Sequence, residues 1–153
     1  MMEITALIAQ HLLAVHTGNN WTEVDLSGIL EDVTAEEALT VTAASPNTIA
    51  SLLHHITYWN RLMIRRIKGV ETAIPASNGY DIPANMNWLD LKDDNIASAH
   101  ELAAAIREFD ASKLVQPILP GYSTAYKNLQ GTVEHVHYHL GQIVIIKKLL
   151  RQL

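Results

Sequence analysis

Apolar residues recur at the three-to-four-residue spacing of a helix in four long stretches of the chain. Turn residues, mostly Gly, Asn and Pro, separate these stretches. Each helix of a bundle buries one apolar stripe against its neighbours, so four such helices can enclose one core. We therefore predict an all-α protein, a four-helix bundle that forms a single domain over residues 1–153. The predicted helices cover about residues 4–16, 46–68, 94–116 and 128–153.

Local signals sharpen some of these boundaries. The sequence Ser45-Pro46 is typical of a helix start, with the serine as N-cap and the proline in the first turn. Two short helices are predicted between the first and second long ones. The apolar spacing of residues 26–33 indicates the first, and Thr34 followed by Glu37 indicates a capping box at the start of the other.

A long irregular segment, residues 69–93, separates the second and third long helices. A loop of this length in a compact domain is often functional. Tyr80 and Trp88 in this segment could form the roof of a pocket, or they could only pin the loop to the bundle. Trp21 lies in an earlier loop, which we expect it to anchor on the core.

The chain has eight histidines, and three of them share a predicted environment. A rotation of 100° per residue places His135 and His139 together on the apolar face of the fourth helix, and His55 on that of the second. The same rotation turns His54 and His137 towards water. An imidazole is costly to bury without polar partners. The three inward histidines therefore require either a metal ion or hydrogen-bond acceptors within the protein.

The other polar residues near these faces are interpreted more simply. His11 is predicted to face the core, His16 ends the first helix, and His100 lies away from the apolar stripe of the third. With Glu134, His11 and His100 are weak candidates for a fourth ligand. Gln142, one turn further along the fourth helix, could orient a ligand or water, or could be a satisfied core amide.

Composition excludes several classes of protein. The net charge of −5 argues against a nucleic-acid binder, because phosphate neutralisation requires clustered Lys and Arg. A short basic run places Arg61, Arg65 and Lys68 on one solvated flank of the second helix, and Arg66 apart from them. The chain has no cysteine, so a metal site must use His, Asp or Glu. No signal-peptide pattern or membrane-length apolar run is present, and we predict a cytoplasmic protein.

The fourth predicted helix carries a second apolar set beyond the histidine stripe. A bundle helix needs only one buried stripe, so the second set predicts another covered surface. A twofold homodimer is one explanation, and tighter packing within the monomer is the other. The set consists of Val133, Val136, Leu140 and Val144.

Three stretches resemble the DinB-like/YfiT-like superfamily of metalloenzymes. The first is Leu53-His54-His55-Ile56-Thr57-Tyr58-Trp59-Asn60, and the second is His135-Val136-His137-Tyr138-His139-Leu140-Gly141-Gln142-Ile143. The third and weakest is Trp21 followed by Leu26 and residues 34–38. The histidine motifs are fairly specific together and weak apart.

This resemblance implies a four-helix bundle that holds a divalent metal ion, Ni, Zn, Fe or Mn, on His55, His135 and His139. It also implies a homodimer. Better-understood members of the superfamily are transferases or isomerases that use a low-molecular-weight thiol as co-substrate. Many members have no assigned activity, so the resemblance leaves the reaction open.

Three functions are compatible with these observations. The first is a metal-dependent transferase, isomerase or hydrolase acting on a small molecule, with Tyr58 and Tyr138 as possible hydrogen-bond donors at the site edge. The second is a non-catalytic, stress-related bundle that binds metal and dimerises. The third is a metal-free module that dimerises through the fourth helix. An open coordination position would favour the first, and a fourth protein ligand the second.

Overall fold

The computed structural model describes residues 3–152, and these contain six α-helices and no β-strand. Four of the helices are long, so the prediction of an all-α bundle is confirmed. Two short helices follow the first long one, as predicted. The helices are α1 (Ile4–Thr17), α2 (Leu26–Leu30), α3 (Ala35–Leu39), α4 (Ile49–Ile67), α5 (Trp88–Glu108) and α6 (Ala125–Arg151), with a 3-10 turn at Ala111–Lys113.

The four long helices pack around one core. Helix α1 contacts α5 and α6, and α4 contacts the same two helices, so α1 and α4 occupy opposite corners of the bundle. The core consists mainly of Leu, Ile, Val and Ala side chains from these helices. The short helix α2 packs on α1, and α3 packs on α4. This arrangement places the histidine-bearing faces of α4 and α6 side by side.

Helix α4 begins later than predicted. Its N-cap is Thr48, whose hydroxyl accepts the Ser51 backbone N–H at 3.1 Å, while the Ser51 hydroxyl accepts the Thr48 N–H at 2.9 Å. This reciprocal pair satisfies two backbone donors that the first turn would otherwise leave free. The Ser45 hydroxyl instead accepts the Asn47 N–H in a turn, so the prediction of Ser45 as N-cap is wrong.

Helices α5 and α6 begin earlier than predicted. Helix α5 starts at Trp88 because Asn87 and Asp90 form a capping box, so the predicted start near Asp94 is wrong. The Trp88 indole donates to the Val33 carbonyl at 2.8 Å and packs on the core, which pins this segment to the bundle. Helix α6 starts at Ala125, capped by Thr124.

The segment between α1 and α3 confirms one prediction and corrects another. Thr34 and Glu37 form the predicted capping box at the start of α3. Trp21, expected to anchor its loop on the core, is 95% exposed, and that expectation is wrong. The loop is held instead by Asn20, whose side chain donates to the backbone carbonyls of Ala14 and Val24.

A buried polar network links α1, α4 and α5. His16 lies 1% exposed, and its Nδ1 donates to the Asn95 side-chain oxygen at 3.1 Å. The Asn95 side-chain nitrogen donates in turn to the Thr57 hydroxyl at 3.0 Å. Burial lowers the pKa of His16 to about 4. His16 is therefore a neutral structural residue of the core near neutral pH.

The second apolar set of α6 is covered within the monomer. Val133, Val136 and Leu140 are at most 3% exposed and belong to the core, with Val144 packed against it. Tighter packing within the monomer thus accounts for this set, and the homodimer remains a prediction without that support. Leu153, which the sequence places on the histidine stripe of the same helix, lies outside the described residues.

Within residues 3–152, none of the helices combines the length and the apolar character that crossing a bilayer requires.

Candidate metal centre

Helices α4 and α6 bring His55, His135 and His139 together. The Nε2 atom of His135 lies 3.0 Å from the Nε2 atom of His55 and 3.0 Å from that of His139. One ligand nitrogen from each of the three rings lies within 4.8 Å of the other two. His55 and His139 are 3% and 4% exposed, and His135 is half-buried. We call these three residues the histidine cluster.

Hydrogen bonds on the outer side of the cluster fix two of its rings. The Nδ1 atom of His55 lies 2.6 Å from the Asn78 carbonyl oxygen, and the Nδ1 atom of His139 lies 2.6 Å from Gln142 Oε1. Both oxygens are acceptors, so both Nδ1 atoms must carry the proton. In a neutral ring the Nε2 atom is then an unprotonated acceptor, and both Nε2 lone pairs face inward.

The inward nitrogens therefore lack enough hydrogens to satisfy one another. The Nε2 atoms of His55 and His139 are acceptors, and His135 Nε2, which is close to both, can donate at most one hydrogen to one of them. In at least one of the two 3.0 Å contacts, a lone pair of His55 or His139 then has no hydrogen directed at it. A cation shared by the three nitrogens removes this conflict.

Charge on the rings themselves does not resolve the conflict. Burial lowers the pKa of His55 to about 4 and, with the neighbouring histidines, that of His135 to about 3. The pKa of His139 is lowered as well, again chiefly by burial. All three rings are thus neutral near pH 7, which is the form that ligates metal.

The cluster fits a divalent transition-metal ion. Bonds of 2.0–2.1 Å to imidazole nitrogens in a tetrahedral site separate the nitrogens by roughly 3.3 Å, and His135 Nε2 lies 3.0 Å from each of the other two Nε2 atoms. Carbonyl and amide oxygens behind the ligating rings are the outer contacts that such sites use to orient histidines. Three nitrogens suit Zn, Ni, Cu and Fe alike. The three-histidine group could therefore hold a metal ion, of undetermined identity.

The remaining histidines lie outside the cluster, and the predicted exposure of two of them is wrong. His11, predicted to face the core, is exposed and meets the half-buried His137 with ring centroids 5.8 Å apart. His54, predicted to face water, is half-buried, and its Nδ1 donates to the Gly79 carbonyl at 2.8 Å. His100 is exposed, as expected. Among the described residues, neither His11, His100 nor Glu134 joins the cluster as a fourth ligand.

Aromatic rings cover the cluster on the loop side. The Tyr80 ring stacks on the His55 ring with centroids 4.0 Å apart and planes within 2°. Trp59 packs edge-on against His55 and His135, with centroids 6.2 and 5.9 Å away. The loop of residues 68–87 thus supplies a roof through Tyr80, and Trp88 does not contribute to it.

The two tyrosines predicted as hydrogen-bond donors, Tyr58 and Tyr138, lie in different surroundings near the histidine cluster. Tyr138 is 66% exposed, and its ring centroid lies 5.0 Å from that of His139. Tyr58 is half-buried on α4, where its ring packs against Trp59 and Gly79. Gln142, left open by the sequence, accepts the Nδ1–H of His139 and so orients that ring.

A pocket of about 330 Å³ opens beside the cluster between α4 and α6. Both His55 and His135 line its wall, so a ligand in the pocket can contact these two rings of the cluster. We call it the side pocket. A larger cavity of about 520 Å³, between α1, α2 and α5, contains none of the three histidines. The side pocket is lined by His55, Trp59, Asn60, Met63, Arg66, Asn78 and, on the α6 side, Ser123, Lys127, Asn128, Gly131, Thr132 and His135.

Two contributors to this site left little trace in the sequence. Asn78 acts through its backbone carbonyl, which side-chain patterns do not report. Arg66 could have been suspected, because the helical rotation separates it from the solvated flank of Arg61 and Arg65.

The sequence model of the DinB superfamily matches residues 19–143 of the chain. The chain belongs to the DinB superfamily. The matched region of this DinB-superfamily protein contains all three cluster histidines, Gln142 and the loop that roofs the site. No curated protein and no solved structure matches the chain significantly. The family therefore supports the bundle and its inward histidines, and leaves the reaction open.

Proposed function

We propose that this DinB-superfamily protein is a divalent-metal-dependent enzyme that acts on a small molecule, as a thiol-dependent transferase or isomerase or as a hydrolase. The observation that carries the proposal is the convergence of three Nε2 atoms beside the side pocket, whose wall includes His55 and His135. Three protein ligands beside an open pocket are typical of catalytic metal sites, whereas structural sites are closed by a fourth protein ligand. Within residues 3–152 the cluster has no fourth His, Asp or Glu.

The residues around the cluster have separable roles. Asn78 and Gln142 hold the protons of His55 and His139 on Nδ1 and so aim Nε2 inward. Tyr80 and Trp59 keep water away from the ring faces. A divalent ion bound there would supply Lewis acidity and lower the pKa of a coordinated water or thiol.

A thiol nucleophile would have to come from outside the protein. The chain contains no cysteine, so none of its own side chains can supply a thiolate. A low-molecular-weight thiol entering the side pocket would meet the wall formed by His55 and His135. We propose Ni, Zn, Fe or Mn as the metal and a low-molecular-weight thiol as the co-substrate. The homodimer and the cytoplasmic location stay predictions.

The alternative is a non-catalytic, metal-binding bundle of the stress-related kind. Deep burial of His55 and His139 favours it, because a bound ion would stabilise the fold whether or not a reaction follows. The open side pocket favours the enzyme, since a purely structural ion needs no adjoining cavity.

The test combines metal loading with turnover. Protein loaded in turn with Ni²⁺, Zn²⁺, Fe²⁺ or Mn²⁺ is incubated with a low-molecular-weight thiol and a panel of small electrophiles, and conversion of each electrophile to a thiol conjugate, an isomer or a hydrolysis product is followed. We expect multiple turnovers that His139→Ala abolishes and His137→Ala, on the same helix outside the cluster, retains. A loaded protein that leaves every electrophile unchanged would favour the non-catalytic alternative.

A further inference from the structure

The side pocket has a positive wall in an acidic protein. Arg66 on α4 and Lys127 on α6 both line it, and no Asp or Glu does. The whole chain carries a net charge of −5, so acidic side chains outnumber basic ones over the rest of the molecule. A cavity lined by one sign of charge concentrates ligands of the opposite sign.

Arg66 is held in place without an ionic partner. Its guanidinium carbon lies 5.5 Å from the Trp59 ring centroid and 4.8 Å from that of Tyr122, as in cation–π contacts. Its only polar contact among the described residues is a long one, 3.5 Å to the Asn128 side-chain oxygen. Glu71, which accepts the Tyr122 hydroxyl at 3.1 Å, does not line the pocket.

Two other arginines of the protein have their guanidinium groups engaged in ion pairs. Arg61 forms a two-pronged ion pair with Asp94, and Arg151 pairs with Asp32 and Glu37. Within residues 3–152, Arg66 and Lys127 form no salt bridge at all. Both cations of the side pocket therefore keep their hydrogen-bond donors for a ligand.

Trp59 connects this positive wall to the histidine cluster. Its ring centroid lies 5.5 Å from the Arg66 guanidinium carbon, and the same ring packs edge-on against His55 and His135. The Trp59 indole N–H is fixed by a 3.2 Å bond to the Asn78 side-chain oxygen. A ligand lying along the indole can thus reach the cationic groups at one end and the cluster at the other.

We propose that the side pocket selects small organic anions, and that Arg66 and Lys127 bind a substrate carboxylate while the reactive end of the same molecule lies at the histidine cluster. Only the placement of the reactive end at the histidine cluster rests on the proposed function; carboxylate binding by Arg66 and Lys127 does not. A guanidinium presents parallel N–H donors that match a carboxylate. Trp59 and Met63 provide apolar wall for the body of the molecule. The volume, about 330 Å³, is near the lower end for small-molecule sites.

The indole of Trp59 is a built-in reporter for this proposal. The chain has three tryptophans, so ¹H–¹⁵N spectra contain three indole signals, and Trp59→Phe identifies one of them. The full chain, metal-free and Zn²⁺-loaded, is titrated with 3-phenylpropionate, with the uncharged 3-phenylpropanamide and with inorganic phosphate. Arg66→Gln and Lys127→Gln are compared with Arg65→Gln, which removes the same charge from the exposed flank of α4.

We expect 3-phenylpropionate to move the Trp59 signal and to bind roughly 10–100-fold more tightly than the amide, as charged hydrogen bonds allow. Arg66→Gln should abolish this preference, Lys127→Gln should reduce it, and Arg65→Gln should keep it. Phosphate binding as tight as carboxylate binding, and lost in Arg66→Gln, would support an anion pocket with phosphate as the ligand group.

Two results would overturn the inference. One is equal binding of the carboxylate and the amide, and the other is a carboxylate preference that survives in Arg66→Gln. Binding of Zn²⁺, Ni²⁺, Fe²⁺ and Mn²⁺ is measured on the same samples and separates the two proposals. A carboxylate preference without binding of any of these ions would reject the metal-dependent function and keep the anion pocket. Metal binding without the preference would reject the anion pocket and keep the metal-dependent function.

Discussion

Gly79 is the residue of the roofing loop whose substitution should most clearly connect backbone geometry to the metal site. Its φ of +79° lies in the left-handed region, and a Cβ atom built on it would lie 2.5 Å from Tyr58 Cγ and 2.7 Å from Tyr58 Cβ. These atoms form the stem of the tyrosine, so rotating its ring cannot relieve the clash. The loop itself would have to move, with the carbonyls that hold His54 and His55.

Gly69 provides a matched control for the magnitude. Its φ is +77°, and a Cβ there would meet nothing within 4 Å. An alanine in the left-handed region costs roughly 1–2 kcal/mol at either site, and overpacking adds roughly 1–3 kcal/mol at Gly79 alone. We therefore expect Gly79→Ala to lower the free energy of unfolding by about 2–5 kcal/mol and Gly69→Ala by about 1–2 kcal/mol.

Gly79→Ala and Gly69→Ala should also differ in their affinity for metal. Loss of an outer hydrogen bond to a ligating histidine typically costs 10–100-fold in metal affinity, and displacement of the loop removes the bond from His55 to the Asn78 carbonyl. Urea denaturation of the metal-free proteins gives the stabilities, and competition with a chelator gives the affinities. Equal stability and equal metal affinity in the two variants would refute this prediction, since only Gly79 lies next to Asn78, whose carbonyl holds His55.

Three other substitutions test single contacts. Gln142→Ala removes the acceptor of the His139 Nδ1–H and should weaken metal binding 10–100-fold, measured by chelator competition. Asn95→Leu leaves His16 without its buried partner and should lower the free energy of unfolding by roughly 1–3 kcal/mol in urea denaturation. Burial lowers the pKa of His16 from 6.5 to about 4, so between these two values His16 is protonated in the unfolded chain and neutral in the folded chain. This contribution leaves the free energy of unfolding unaffected above pH 6.5 and lowers it by about 3 kcal/mol as the pH falls towards 4. The extra loss at low pH should be absent in His16→Gln. An identical pH dependence of stability in wild type and His16→Gln would contradict this prediction.

The sequence predicts the directions of the cluster side chains well, for a physical reason. Residues four apart on a helix share a face, so His135 and His139 had to point the same way, and the apolar neighbours show which way is inward. That these two rings meet His55 depends on how α4 and α6 pack. Periodicity does not report that packing, and the resemblance to the superfamily supplied it.

Three of the errors lie in the loops or where a loop meets a helix. Helical rotation correctly turns His54 away from the cluster, but the loop of residues 68–87 folds over that face and gives His54 a carbonyl partner. The start of α5 was missed because Asn87 and Asp90 form a local capping box before the apolar spacing begins. The loop that contains Trp21 is held by hydrogen bonds from the Asn20 side chain, and the large apolar side chain of Trp21 is exposed.

The most direct test of the metal centre is the metal content of the purified protein. Untagged wild type, His55→Ala, His135→Ala and His100→Ala are analysed by elemental mass spectrometry, with thermal denaturation before and after adding divalent ions. The account predicts about one metal ion per chain, as a single three-histidine site requires, in wild type and in His100→Ala, and none in the two cluster variants. Wild-type protein that carries no metal and gains no thermal stability from added ions would contradict it.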